Sequence, residues 1–188
     1  GQFPSALCLY VNVDVVHVIA TRYMSLKEGD IIVVDAGLVY EGMYTDMAVT
    51  VPVGKVTDEV AKLIKVAKES LEEGLKQIRD GATTGDMGWF IQKYVERHKF
   101  GVIRDLVGHG VGRSVHEPPM VPNFGQLGTG TRLQAGMTIA VEPMITIGDY
   151  HTKTLDDGWT ISTLDGSLAA HFEHTVLVTS SGHEILTK

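Results

Sequence analysis

Three early segments of the chain have the composition of β-strands. Leu, Tyr, Val and Ile dominate residues 6–19, and residues 31–40 and 43–53 are two further strand-like segments. Runs rich in β-branched and aromatic residues, bounded by turn-forming residues, favour strands. Glu41 and Gly42 separate the last two segments, which therefore predict a β-hairpin, and the first segment predicts one or two further strands.

The middle of the chain has the spacing of a helix. Over residues 58–78 the apolar positions recur three or four apart, which predicts an amphipathic helix. Thr57 is the expected N-cap, and Gly81 lies beyond the expected end. A shorter helix is predicted after Thr84.

Strand-like composition returns in the second half. We predict strands at 101–107, 137–147 and 171–179, separated by a Gly- and Pro-rich loop at 108–130 and a hairpin region at 148–166. Strands before and after a helical middle indicate an α+β fold with antiparallel pairing.

Composition and charge narrow the class of protein. The 188 residues are 44% apolar and 21% charged, which predicts a single globular domain, 1–188. No apolar run has the length of a membrane span, and a net charge of −7 without a basic cluster argues against nucleic-acid binding. The single cysteine, Cys8, excludes an internal disulfide and is compatible with a reducing compartment, so we expect a cytoplasmic location.

Four acidic residues interrupt otherwise apolar strands: Asp35, Asp46, Glu142 and Glu173. An ionised carboxylate at a buried position is costly unless something neutralises it. Any one of the four could lie on the solvent face of a half-buried strand. The occurrence of four such positions favours a shared site.

A two-residue hairpin turn would place two of these carboxylates on one face, and only a loop with an odd number of residues would separate them. A turn centred on residues 40–41 puts Asp35 directly opposite Asp46, whereas a turn centred on 41–42 puts Asp46 opposite Gly37, which shares a face with Asp35. Like charges placed so close repel unless protons or cations lie between them.

His109 adds a nitrogen donor within the glycine-rich segment 108–112, where glycines let backbone and metal approach closely. Alone, such a histidine is as consistent with an ordinary loop residue. Together with four carboxylates it suits hard to borderline divalent ions such as Mn, Fe, Co or Zn. Four negative ligands balance two divalent ions, and two-metal sites are a recurring device for hydrolysis.

Several motifs together resemble the type I methionine aminopeptidase family: Gly108-His109-Gly110-Val111-Gly112-Arg113, His116-Glu117-Pro118-Pro119, Val141-Glu142-Pro143-Met144, Asp157-Gly158-Trp159-Thr160 and Phe172-Glu173-His174-Thr175. The resemblance covers essentially the whole chain. The pair Asp35 and Asp46, preceded by Gly29-Asp30-Ile31, fits the family's first metal motif.

This resemblance implies the pita-bread fold, with two pseudo-symmetric halves around a dinuclear metal site. Asp35 and Asp46 would bind metal, with Asp46 bridging. His109 and Glu142 would bind one ion, and Glu173 would bridge both ions. The implied activity is removal of the N-terminal methionine from proteins and peptides by a metal-activated water, and the implied partners are the N-termini of polypeptides, with ribosome association left open.

The resemblance also implies catalytic and substrate-binding roles. Glu142 would shuttle a proton, His116 would stabilise the developing oxyanion, and His17 would lie near the scissile amide. The methionine side chain would contact a pocket lined by Phe3, Cys8, Val115 and Trp159. No role is assigned to the remaining histidines, His98, His151, His171, His174 and His183.

The chain departs from the family pattern at Val13 and at residues 18–21, which follow His17. Family members also carry a helical segment before the position of Gly1, and we expect its absence to uncover one face of the first half. Two other functions fit the same fold: an Xaa-Pro peptidase of the prolidase or aminopeptidase P type, and a catalytically impaired binding module.

Overall fold

The computed structural model describes residues 7–18 and 25–188, and two consecutive helices separate four strands from ten further strands in these ranges. Within these ranges the helices are α1 (Asp58–Leu75) and α2 (Thr84–Arg97). The strands are β1 (Cys8–Val11), β2 (Asp14–Val16), β3 (Ile31–Tyr40), β4 (Met43–Pro52), β5 (Gly101–Val102), β6 (Gly108–Gly110), β7 (Glu117–Val121), β8 (Thr138–Val141), β9 (Met144–Thr146), β10 (Thr152–Thr154), β11 (Ile161–Thr163), β12 (Ala169–His171), β13 (Glu173–Val178) and β14 (His183–Ile185).

A central sheet joins strands from both ends of the chain in the order β1-β3-β4-β13-β8-β6-β7, with β14 paired to β13. Two further three-stranded sheets have the orders β10-β11-β2 and β12-β9-β5. The pairings are antiparallel, so the predicted α+β architecture is confirmed.

Both helices begin at capped residues, and Thr57 is the N-cap that the sequence predicted. Thr57 accepts a hydrogen bond from the Val60 N–H, and Thr83 forms a capping box with Asp86. The first helix ends at Leu75 rather than at residue 78, because the amides of residues 77 and 78 donate to carbonyls three residues back in a tighter turn. Neither helix combines the length and the hydropathy needed to cross a membrane.

Two apolar clusters hold the strands in place. One contains α1 and α2 residues such as Leu63 and Ile91, packed with Ile139 of the central sheet. The other includes Tyr10 and Met144. Burial of this kind is the main favourable term in folding, and here it fixes the strands that carry the acidic residues.

Two predicted strands are each broken in the structure. The segment predicted as 137–147 divides into β8 and β9 at Glu142 and Pro143, and the segment predicted as 171–179 divides into β12 and β13 at Phe172. Pro143 has no N–H to donate, so the ladder ends there. The strands β8 and β13 stay in the central sheet, while β9 and β12 pair with each other. Glu142 and Glu173 therefore sit where the chain passes from one sheet to another.

The loop predicted at 108–130 contains two strands, β6 and β7, and the strand predicted at 101–107 is reduced to β5. Glycines explain the close strand packing around His109. A Cβ on Gly110 would lie 2.2 Å from the Pro118 carbonyl oxygen, and a Cβ on Gly108 would lie 2.4 Å from that of Ala140. The hairpin predicted within 148–166 is present as β10 and β11.

Candidate metal centre

Five consecutive strands of the central sheet each place one predicted ligand at the same region. Asp35 lies on β3, Asp46 on β4, Glu173 at the start of β13, Glu142 directly after β8, and His109 on β6. The sheet thus brings together residues from distant parts of the sequence.

The hairpin register matches the turn centred on residues 41–42. Gly37 faces Asp46, and Asp35 faces Ala48. The turn residues Glu41 and Gly42 have φ values of 49° and 79°. Two consecutive positive φ values are typical of the type I′ turn, which matches the twist of a two-residue hairpin.

Side chains from these strands converge closely. The Nε2 atom of His109 lies 3.5 Å from Glu142 Oε1 and 4.0 Å from Asp46 Oδ2. In a flat sheet, strands three intervals apart such as β4 and β6 would be about 14 Å apart. The sheet therefore curves around the site.

Two groups of three side chains have the spacing of a metal site, and they share one carboxylate. Asp46, His109 and Glu173 form one group, and Glu142, His171 and Glu173 form the other; in each, the donor atoms lie within 4.8 Å of one another. Glu173 is 2% exposed and its Oε1 atom has no hydrogen-bond partner among the described residues. Buried carboxylate oxygens and imidazole nitrogens without partners suit divalent ions as their missing partners.

Asp35 lies beside these groups and belongs to neither. The hydroxyl of Tyr10, which is 1% exposed, donates a 2.5 Å hydrogen bond to Asp35 Oδ2. Burial, and then the Asp35 charge, raise the pKa of Tyr10 far above its usual range, so the phenol stays protonated and remains a donor. Tyr10 thereby orients the Asp35 carboxylate.

The carboxylates of the cluster lie close enough together to repel one another. Burial, followed by the charges of Asp35 and Glu142, raises the pKa of Asp46 to about 7. Burial, followed by the charge of Glu142, raises the pKa of Glu173 well above its ordinary value. Such carboxylates favour protons or cations between them.

Hydrogen bonding orients the imidazole of His109. Its Nδ1 lies 3.0 Å from the carbonyl oxygen of Gly110, so Nδ1 is the protonated nitrogen and Nε2 presents a lone pair to the carboxylates. The ring of His116 lies beside it, with the ring centroids 4.3 Å apart. Partial burial, and then the nearby His109, lower the pKa of His116. His116 is therefore adjacent to the cluster and predominantly neutral near pH 7.

A cavity of about 500 Å³ opens beside the cluster. It is lined by polar side chains, His17, His109, His116 and Glu142, and by apolar ones that include Leu106, Met120 and Met144. The cavity thus joins three of the predicted catalytic residues to an apolar wall, which is the arrangement of a site for a small side chain next to reactive groups.

The predicted pocket residues are not the ones that line this cavity. Cys8, Val115 and Trp159 do not belong to its lining, and Phe3 lies outside the described residues. Trp159 lies next to His17, a residue of the lining, since their ring centroids are 5.8 Å apart. His17 has a φ of 63°, a conformation that non-glycine residues rarely adopt outside functional or tightly constrained positions.

His171 was missed by the sequence analysis. It is 2% exposed, and its Nε2 lies 3.5 Å from Glu142 Oε2 and 3.9 Å from Glu173 Oε2. One sequence feature does indicate His171. Residues two apart in an extended chain share a face, so His171 would lie on the same face as Glu173.

The fold and this cluster together define a metallopeptidase. The chain belongs to metallopeptidase family M24, whose sequence profile matches residues 1–180. A methionine aminopeptidase of Clostridium perfringens is 48% identical over 185 residues, which are 98% of this chain and 74% of that protein. Methionine aminopeptidase 1 of Bacillus subtilis is 44% identical over 99% of this chain and 75% of its own length.

Solved structures agree with this assignment and confirm the pita-bread fold. The crystal structure of methionine aminopeptidase from Thermotoga maritima matches with a TM-score of 0.95 at 50% identity, covering 97% of this chain and 73% of that chain. The prolidase from Pyrococcus horikoshii matches with a TM-score of 0.76 at 21% identity, over 98% of this chain and 48% of that chain. The second match shows a shared fold only.

Proposed function

We propose that this chain is a methionine aminopeptidase, which hydrolyses the first peptide bond of polypeptides that begin with methionine. The observation that carries the proposal is the pair of three-residue groups that share Glu173. The relatives named above add support, since they are methionine aminopeptidases similar to this chain over nearly its whole length.

The proposed ligands are Asp35, Asp46, His109, Glu142 and Glu173, and the proposed cofactor is a pair of divalent ions. Glu173 would contribute to both ions, because it belongs to both three-residue groups, and the family resemblance implies the same for Asp46. When bound, divalent ions polarise a carbonyl and lower the pKa of water, which is the chemistry that peptide hydrolysis needs. Mn, Fe, Co and Zn all accept this mixture of carboxylate and imidazole donors.

Other residues would transfer protons and stabilise the negative charge that develops on the substrate. Glu142 faces the cavity and would accept a proton from the attacking water and pass it to the leaving amine. His116 lines the same cavity and would donate a hydrogen bond to the substrate carbonyl oxygen as negative charge develops there. His17, which also lines the cavity, would contact the amide of the scissile bond.

The substrate side chain would lie in the cavity of about 500 Å³, against Leu106, Met120 and Met144. Apolar and thioether side chains suit a methionine. The residues Cys8, Val115 and Trp159 stay predicted as part of its surroundings. A small second residue would be favoured, because an extended chain must pass the ligand carboxylates.

Release of methionine from the peptide Met-Ala-Ser tests this proposal directly. We expect release with Mn, Co or Fe added and none after chelation. Replacing His109 by Ala should abolish it, whereas His183→Gln, on the remote strand β14, should leave it unchanged. No release with any of the three metals would refute the proposal, and turnover of an Xaa-Pro peptide instead would assign the chain to the prolidase type.

A further inference from the structure

We propose that His171 is a second imidazole ligand of the metal centre and binds, through Nε2, the ion held by Glu142 and Glu173. This inference rests on the proposed function, because it requires that metal ions occupy the cluster. It adds a nitrogen donor to the five ligands that the sequence motifs indicated.

The imidazole of His171 is buried without a partner. The residue is 2% exposed, and neither ring nitrogen has a hydrogen-bond partner among residues 7–18 and 25–188. Its backbone, in contrast, is fully bonded: the Thr50 hydroxyl donates to the His171 carbonyl at 2.7 Å and accepts from its N–H at 2.8 Å. Thr50 thus holds the main chain while the ring points into the cluster.

Two less buried histidines of this chain, in contrast, have a hydrogen-bond partner for a ring nitrogen. The Nδ1 atom of His98 lies 2.8 Å from a carbonyl oxygen, and that of His174 lies 3.0 Å from the Thr187 hydroxyl. Buried polar atoms in folded proteins are nearly always satisfied, and leaving one unpaired costs about 1–3 kcal/mol. A bound cation would supply the partner that Nε2 lacks.

The distances fit shared coordination better than hydrogen bonding. The Nε2 atom of His171 lies 3.5 Å from Glu142 Oε2 and 3.9 Å from Glu173 Oε2. Neither contact is a hydrogen bond among the described residues. Two donor atoms about 2.1 Å from one ion, at a tetrahedral angle, are about 3.4 Å apart. The three side chains therefore surround a space that one ion would fill.

Glu142 lies between two imidazoles. Its Oε1 is 3.5 Å from His109 Nε2, and its Oε2 is 3.5 Å from His171 Nε2. Both imidazoles therefore adjoin the Glu142 carboxylate, one at each oxygen, and Glu173 belongs to the three-residue group of each imidazole. Imidazole favours Co and Zn over Mn, so His171 should bias its ion toward these metals.

X-ray absorption at the cobalt edge, on protein loaded with two equivalents of Co²⁺, tests the inference by counting imidazoles. We expect wild type to average one imidazole per ion, which requires two histidines for two ions. His171→Gln should halve that average, as should His109→Gln. His174→Gln and His116→Gln, which change the next histidine along the chain and the ring beside His109, should keep the wild-type value.

Metal titration gives the second readout. His171→Gln should weaken binding of one Co²⁺ ion by at least about tenfold and weaken Mn²⁺ binding by less. If His171→Gln keeps the wild-type imidazole average, His171 is not a ligand and the inference is wrong. If that variant does not fold, the wild-type average decides alone, since half an imidazole per ion excludes a second histidine.

The two proposals fail in different ways. Wild type that releases methionine and binds two ions, but shows half an imidazole per ion, contradicts only the role of His171. Wild type that binds no Co²⁺ and releases no methionine contradicts both the inference and the proposed function.

Discussion

Replacing Asp46 by Asn should stabilise the metal-free protein at high pH and have little effect at low pH. Burial and neighbouring charges raise the pKa of this carboxyl from 3.8 to about 7. The folded protein therefore holds a proton that the unfolded chain has released, and its stability falls as pH rises from about 4 through about 7. Asn has a similar shape and no charge to bury.

The size of the effect follows from the same two values. The difference between 3.8 and about 7, at about 1.4 kcal/mol per pH unit, amounts to about 4 kcal/mol. In chelator, Asp46→Asn should be more stable than wild type by up to this amount at pH 8, and equal to it near pH 4. Below about pH 4 the Asp46 carboxyl is protonated in both the folded and the unfolded wild type, so the difference in stability vanishes.

Urea unfolding of both proteins at several pH values between 4 and 8, with chelator present, measures this difference. Asp156→Asn, at an exposed position, reports the effect of losing one carboxylate elsewhere. With Co²⁺ in place of chelator the order should reverse, because wild type then gains binding energy that the variant lacks. A difference between Asp46→Asn and wild type that does not change with pH would refute the electrostatic reasoning.

Four further outcomes are expected. Chelation should lower the melting temperature of wild type at pH 7.5, since ions at 100 times their dissociation constant contribute about 2.7 kcal/mol; equal melting temperatures would contradict this. His116→Ala should lower kcat by about 100- to 1000-fold with metal content unchanged, and loss of metal would show a different role. Gly110→Ala should destabilise by about 1–3 kcal/mol or more, because its Cβ would meet the Pro118 carbonyl, whereas Gly182→Ala, with open space around it, should be nearly neutral in urea unfolding. Thr57→Ala should cost about 1 kcal/mol through loss of the α1 N-cap, and an unchanged unfolding midpoint would contradict that.

Local chemistry made much of this structure predictable. The capping role of Thr57 follows from its position before an apolar-periodic run, and the hairpin turn follows from Gly42, which tolerates a positive φ. The acidic residues were identified because ionised groups are out of place in apolar strands. These features depend on residues that are close in sequence, so the sequence alone predicts them.

Other features depend on tertiary structure. The strand breaks at Pro143 and Phe172 depend on which sheet each half joins, and apolar composition does not reveal that. His171 was passed over because a histidine after two alanines has no local signal of burial beside carboxylates. The cavity lining likewise depends on how the sheet curves, which composition and spacing do not reveal.

Because β13 lies between β4 and β8, the proposed metal centre assembles only after β13 has joined the sheet. The amide of Asp46 and the hydroxyl of Thr175, 129 residues apart in sequence, are joined by a 2.8 Å hydrogen bond across that junction. Contacts of such long range form slowly, because the entropy of bringing distant segments together is lost before the contacts stabilise them. A partly synthesised chain that has not reached β13 lacks Glu173, the carboxylate that the two three-residue groups share. Under the proposed function, such a chain would not yet hydrolyse peptides.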